Sequence, residues 1–174
     1  MPLVVFLKGV NVGGHRTFRP SQLAKKLARY GLINIGAAGT FVVGRPITET
    51  KLRKELRDCL PFETATMICP GDDILRLVAE APFPEEFCGS GIVRFVSVLA
   101  TGPRVLPALP LILPDGEGWL VRIIAVRGRF ALGVYKRALR TISFLGKVEK
   151  SLGGSVTTRN WNTFAKIAEV LRAQ

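Results

Sequence analysis

Long apolar runs are what this chain most lacks. The first, Leu3–Leu7, is five residues long and ends at Lys8. A membrane-spanning helix needs about 20 such residues, and a signal peptide needs a longer apolar core preceded by positive charge. The sequence therefore reads as a cytoplasmic protein with no membrane partner. Cysteine is sparse. Cys59, Cys69 and Cys88 make an odd count without CxxC spacing, which argues against a disulfide framework or a zinc site. Cys59 falls in a helical pattern with no histidine nearby, so it is a poor nucleophile candidate. His15 is the one histidine in the chain. No metal constellation can be assembled around it, and no cofactor is expected.

Acidic residues are missing from two long stretches. Residues 1–48 hold seven Lys or Arg and no acid, and residues 118–148 again hold seven and none. Residues 49–117 carry seven bases against eleven acids. The whole chain has a net charge of +12. A positive field over part of the surface follows if the two acid-free stretches lie together, and a polyanion, nucleic acid among them, is the partner it would attract. Exposed aromatics interleaved with these bases, as in single-strand binders, are not evident.

The remaining composition is that of a folded domain. With 174 residues, of which 48% are hydrophobic and 22% charged, the chain should bury roughly 70% of its unfolded surface. Leu3–Leu7 reads as a buried strand. A glycine-rich loop follows, then a helix from Pro20 with Leu23, Leu27 and Tyr30 on one face, stopped by Gly31. Leu32–Ile35 and Thr40–Val43 read as short strands around a glycine turn. Thr48 is a candidate N-cap for a helix with Leu52, Leu56 and Leu60 on its face, ended by Pro61. Thr64–Ile68 is the next strand. This order, β-α-β-β-α-β, is the ferredoxin-like one.

Asp72 or Asp73 can cap a further helix holding Ile74, Leu75 and Val78. Ala81–Phe87 reads as a Pro-broken connection and Ile92–Leu99 as a strand. The prolines of 103–114 suggest a loop or one helical turn. Trp119–Val126 and Phe130–Tyr135 flank Arg127-Gly128-Arg129 as a hairpin. Phe144–Leu152 reads as a short helix stopped by Gly153-Gly154, and a last helix uses Phe164, Ile167 and Leu171. The expected fold is α+β, with a ferredoxin-like unit over 1–80. A second, divergent α+β unit over 81–174, packed closely on the first, suggests duplication.

Two segments are too polar to be fold material alone. In the first, Lys8-Gly9-Val10-Asn11-Val12-Gly13-Gly14-His15-Arg16, the glycine separation resembles a P-loop. That reading fails because His15 and Arg16 stand where Lys and Ser/Thr are required. Converging backbone N–H groups beside Lys8, His15 and Arg16 can still hold an anion. The ordinary alternative is a tight strand exit, with Asn11 bonding its own backbone. The second segment, Thr157-Thr158-Arg159-Asn160-Trp161-Asn162-Thr163, runs into the last helix. One cap needs one such residue, and capping requires neither Arg159 nor Trp161.

Together, Phe6-Leu7-Lys8-Gly9-Val10-Asn11-Val12-Gly13-Gly14 and Thr157–Thr163 resemble the paired signature of the bacterial domain of unknown function 1697 family. The resemblance implies two ferredoxin-like units in one chain. It implies no activity, because that family carries no assigned reaction or catalytic residues. The family's Gln-Ser-Gly-Asn turn is replaced here by Ala37-Ala38-Gly39-Thr40. The two segments are expected to meet in space, with that turn close by.

The function expected is binding of an anionic or phosphate-bearing ligand, with Lys8, Asn11, Gly13, Gly14, His15, Arg16, Thr158, Arg159, Asn160, Trp161 and Asn162 as candidate binding residues. The alternatives are a small-molecule enzyme using His15 and Arg159, and an assembly protein pairing the edge of the 119–135 hairpin across a two-fold axis. No catalytic residue is assigned.

Overall fold

The structure, a computed structural model, describes every residue except Gly13 and His15. It is an α+β fold with two antiparallel sheets and five α-helices among the described residues. The chain divides into two compact units, Met1–Glu80 with Thr163–Gln174, and Ala81–Asn162. The C-terminal helix, expected in the second unit, thus groups from Thr163 onward with the first.

In the first unit the strands are β1 (Leu3–Leu7), β2 (Leu32–Asn34), β3 (Thr40–Val43) and β4 (Thr66–Pro70), with helices α1 (Pro20–Lys26) and α2 (Glu49–Cys59) between them. The sheet order is β2-β3-β1-β4, the split-βαβ arrangement that the element order predicts. Alternation along β1 sends Val5 and Leu7 to the face that α1 and α2 cover. There they join Phe41, Val43, Ile68, Leu23, Leu27, Leu52 and Leu56 in one buried cluster. The Thr48 hydroxyl accepts from the Lys51 N–H and caps α2. Leu60, forced to extended backbone by Pro61, ends it. Phe6, pointing the other way, stacks on Phe164 at 5.6 Å between ring centroids.

Helix α3 (Gly71–Ala79) follows β4 directly. It begins after Pro70 with no side-chain cap, so the caps expected from Asp72 or Asp73 are not made. Proline supplies the start instead, since its φ of −58° leads the chain out of the strand.

The second unit contains β5 (Ile92–Leu99), β6 (Leu111–Leu113), β7 (Val121–Arg127), β8 (Phe130–Lys136), α4 (Thr141–Leu152) and β9 (Val156–Asn160). Helix α5 (Trp161–Arg172) starts at its end. The sheet order is β6-β7-β8-β5-β9. With β6 set aside, β7-β8-β5-β9 repeats the first unit's order, strand for strand: second, third, first, fourth. The second unit has the ferredoxin-like strand order, with residues 100–120 where the first helix would stand. Helix α4 occupies the place of α2 and buries Phe144, Val148 and Leu152 against Phe95, Leu99, Val121, Ile123 and Ala131.

Two expectations are corrected by these elements. The 103–114 segment is not wholly irregular, since Leu111–Leu113 forms β6 between Pro110 and Pro114; a three-residue strand at the edge of a sheet tolerates such neighbours. Thr157–Asn160 is strand rather than helix lead-in, pairing with β5 from Phe95↔Asn160 to Leu99↔Val156, as its β-branched residues favour. The 119–135 hairpin is flanked by β5 along β8 and by β6 over Val121–Ile123, while β6 registers with no residue of β7 beyond Ile123.

Candidate functional site

The Lys8–Arg16 loop leaves β1 through a series of backbone anchors. Lys8 donates its N–H to Ala65 O, and its carbonyl accepts from the Thr64 hydroxyl. Asn11, at φ +55°, is tied at both ends of its side chain. Its Nδ2 donates to Ala37 O at 2.8 Å, and its Oδ1 accepts from Phe18 N–H at 2.9 Å. Asn11 thus shapes the loop, with its polar atoms spent on backbone. Gly14 (φ +75°) is exposed, as is Arg16 (φ +49°), whose guanidinium folds back over Gly9. Gly13 and His15 lie outside the described residues.

The Ala37–Thr40 turn packs directly on this loop. Besides the Ala37–Asn11 bond, Gly39 O accepts from Leu7 N–H. Gly39 takes φ +72°, and a Cβ there would stand 2.5 Å from Val10 Cγ2. Only glycine fits, which accounts for this residue of the turn in terms of packing.

The second polar segment belongs to the other unit up to Asn162. The Thr158 hydroxyl bonds the Ser97 hydroxyl at 2.7 Å across the β5–β9 pair. Arg159 is buried, and its Nη1 donates to Thr157 Oγ1 and Thr158 O. Burial pushes its guanidinium down to about 10, so it remains charged at neutral pH. The Trp161 ring meets Phe83 edge to face at 5.0 Å. Asn160 and Asn162 are exposed.

Strand register assembles a cationic face that no local sequence pattern singles out. Val134 lies opposite Arg122 on β7 and opposite Arg94 on β5. Directly opposed residues share a face, so Arg122, Val134 and Arg94 form a row across the sheet. Lys136, two residues beyond Val134, joins the same face, as does Arg159, opposite Val96. The Arg122 and Lys136 charges stand 4.1 and 4.3 Å from the centroid of the Trp119 ring. They are therefore within about one Debye length, ~8 Å, of each other.

Neither Arg122 nor Lys136 nor Arg94 forms an ion pair among the described residues. Arg122 Nε is buried with no hydrogen-bond partner. Arg94 lies over the Phe83 ring at 5.9 Å and donates to Cys88 Sγ. The acid-free 118–148 stretch is the available sequence signal, but only register shows which of its bases share a face.

Among the described residues no cluster of His, Cys, Asp and Glu is suited to a metal ion, and no helix is long and apolar enough to cross a membrane. No family model matches the chain, and no curated protein matches it. Among solved structures it is similar to a conserved bacterial protein from Streptococcus pneumoniae, at 18% sequence identity and a TM-score of 0.63, with 98% of each chain covered. At that identity the likeness is one of fold, and it extends over both α+β units.

Proposed function

We propose that this is a cytosolic binding protein for an anionic, phosphate-bearing ligand, with nucleic acid as the polymeric candidate. One observation carries the reading. Arg122 is placed on a sheet face beside Lys136 and Arg94, with a buried Nε that bonds nothing and no carboxylate to offset the charge. A buried donor left unsatisfied costs about 1–3 kcal/mol, and like charges this close repel. A phosphate pairing with the half-buried Arg122 guanidinium and within reach of Lys136 offsets that repulsion. The Trp119 ring that both cations contact holds the two side chains without neutralising them.

The exposed Arg16 and half-buried Lys8 of the first unit add to the positive charge that draws such a ligand to the chain. We also propose, on the two sequence signatures, that the chain is related to the domain of unknown function 1697 family. The enzymatic alternative gains no support from Arg159, whose Nη1 is spent within its own strand.

The test is the binding of a fluorescent oligothymidylate, read by anisotropy at low and at moderate salt. Binding should be strongest at low salt. Arg122→Met with Lys136→Met should weaken it and flatten its salt dependence by about one unit of slope for each phosphate no longer engaged. Folding should be retained, because the substitution removes the unsatisfied Nε. Absence of binding at low salt would refute the nucleic-acid form of the proposal. A parallel titration with inorganic pyrophosphate tests the small-ligand form.

A further inference from the structure

Beside the α1–α2 layer of the first unit lies a cavity of about 710 Å³, within the ~300–1,000 Å³ range of small-molecule sites. It is chemically two-sided. Phe18, Leu23, Leu60 and Pro61 make an apolar wall. Arg19 and Lys26 stand over it from the α1 side. Leu23 follows Arg19 by four residues and Lys26 follows Leu23 by three, the spacing that brings side chains to one helical face. The lone carboxylate of the lining, Asp58, is occupied by Lys54 at 2.7 Å. Arg19 and Lys26 make no ion pair among the described residues.

The wall is held in place. The Phe18 ring packs edge to face on Phe62 at 5.8 Å, and its backbone N–H is the one that Asn11 Oδ1 accepts. The loop that the sequence marks as special therefore positions one side of this cavity.

We propose that the cavity binds a small anion with a compact apolar body, an aromatic or branched aliphatic carboxylate in chemical class. The carboxylate pairs with Arg19 and Lys26 while the hydrocarbon covers Phe18, Leu23, Leu60 and Pro61. A free phosphate lacks the apolar part, and a polynucleotide presents its charge without it. None of these residues belongs to the cationic face of the second unit, so the site stands or falls independently of it.

Cys59 lines the cavity and supplies the readout. Cys69 is fully buried, so in a Cys88→Ser background Cys59 is the thiol open to reagent. The rate of its alkylation by iodoacetamide is measured against 2-naphthoate and against the neutral isostere 2-naphthalenemethanol. Naphthoate should slow labelling at least about threefold below about 1 mM, with the alcohol about tenfold weaker.

The exposed pair Arg19→Ala and Lys26→Ala should abolish the difference between the two probes. Asn11→Ala should weaken naphthoate through the displaced wall, and Arg122→Met should leave it unchanged. No protection by naphthoate up to about 1 mM, equal protection by the alcohol, or undiminished discrimination in the Arg19/Lys26 variant each overturns the proposal.

Discussion

Replacing Gly133 by alanine tests how tightly the second unit is built. Gly133 faces Phe95 across the β5–β8 pair. A Cβ there would sit 2.3 Å from Phe95 Cζ and 2.7 Å from the Arg122 carbonyl oxygen, where ordinary contact begins near 3.4 Å. Neither obstacle can yield cheaply. Phe95 is wholly buried and its ring lies 5.8 Å from that of Tyr135, while the carbonyl belongs to the backbone of β7.

Displacing the ring from its rotamer costs about 0.5–1.5 kcal/mol, and overpacking the core costs about 1–3 kcal/mol. The expected loss is about 3 kcal/mol. At about 2–4 °C per kcal/mol for a chain of this size, Tm falls by about 6–12 °C. Urea and thermal unfolding measure the loss. A double-mutant cycle with Phe95→Leu apportions it: coupling of about 1 kcal/mol or more assigns that share to the ring, and the remainder belongs to the carbonyl. A Gly133→Ala protein within about 0.5 kcal/mol of wild type would refute the reasoning.

Gly39→Ala adds a left-handed φ to a 2.5 Å approach on Val10, and should cost about 2–4 kcal/mol in denaturant unfolding; a near-neutral result would mean the turn and loop are not packed as described. Arg159 gives a pH test. Its folded value lies below that of an arginine in the unfolded chain, so burying the charge destabilises at neutral pH, and the penalty lifts as pH rises through about 10. The stability of wild type minus that of Arg159→Met should be flat below pH ~9 and shift toward wild type above pH ~10. A difference flat across that range would contradict the desolvation account.

How much of the fold is legible in the sequence depends on the range of the signal. Ile92–Leu99 and the α2 face of Leu52 and Leu56 are readable because local periodicity fixes which side is buried. The strand β6 is hidden by its prolines, which mark irregularity until an edge position is known. β9 is hidden by its polar residues, which read as caps and become a ladder only once β5 is beside them. Asn11 has the chemistry of a ligand-contacting residue, yet its partners Ala37 and Phe18 lie 26 and 7 residues away, beyond any spacing rule. The cationic face requires two strand registers, which no local pattern encodes.

The missing helix of the second unit has a consequence for stoichiometry. The two units share the four-stranded order, but where the first has α1 the second has the 100–120 segment and its short edge strand. The wall that carries Leu23 and Lys26 therefore exists once in the chain. If the proposed cavity binds its ligand, a fold of two like halves should take up one equivalent per chain rather than two.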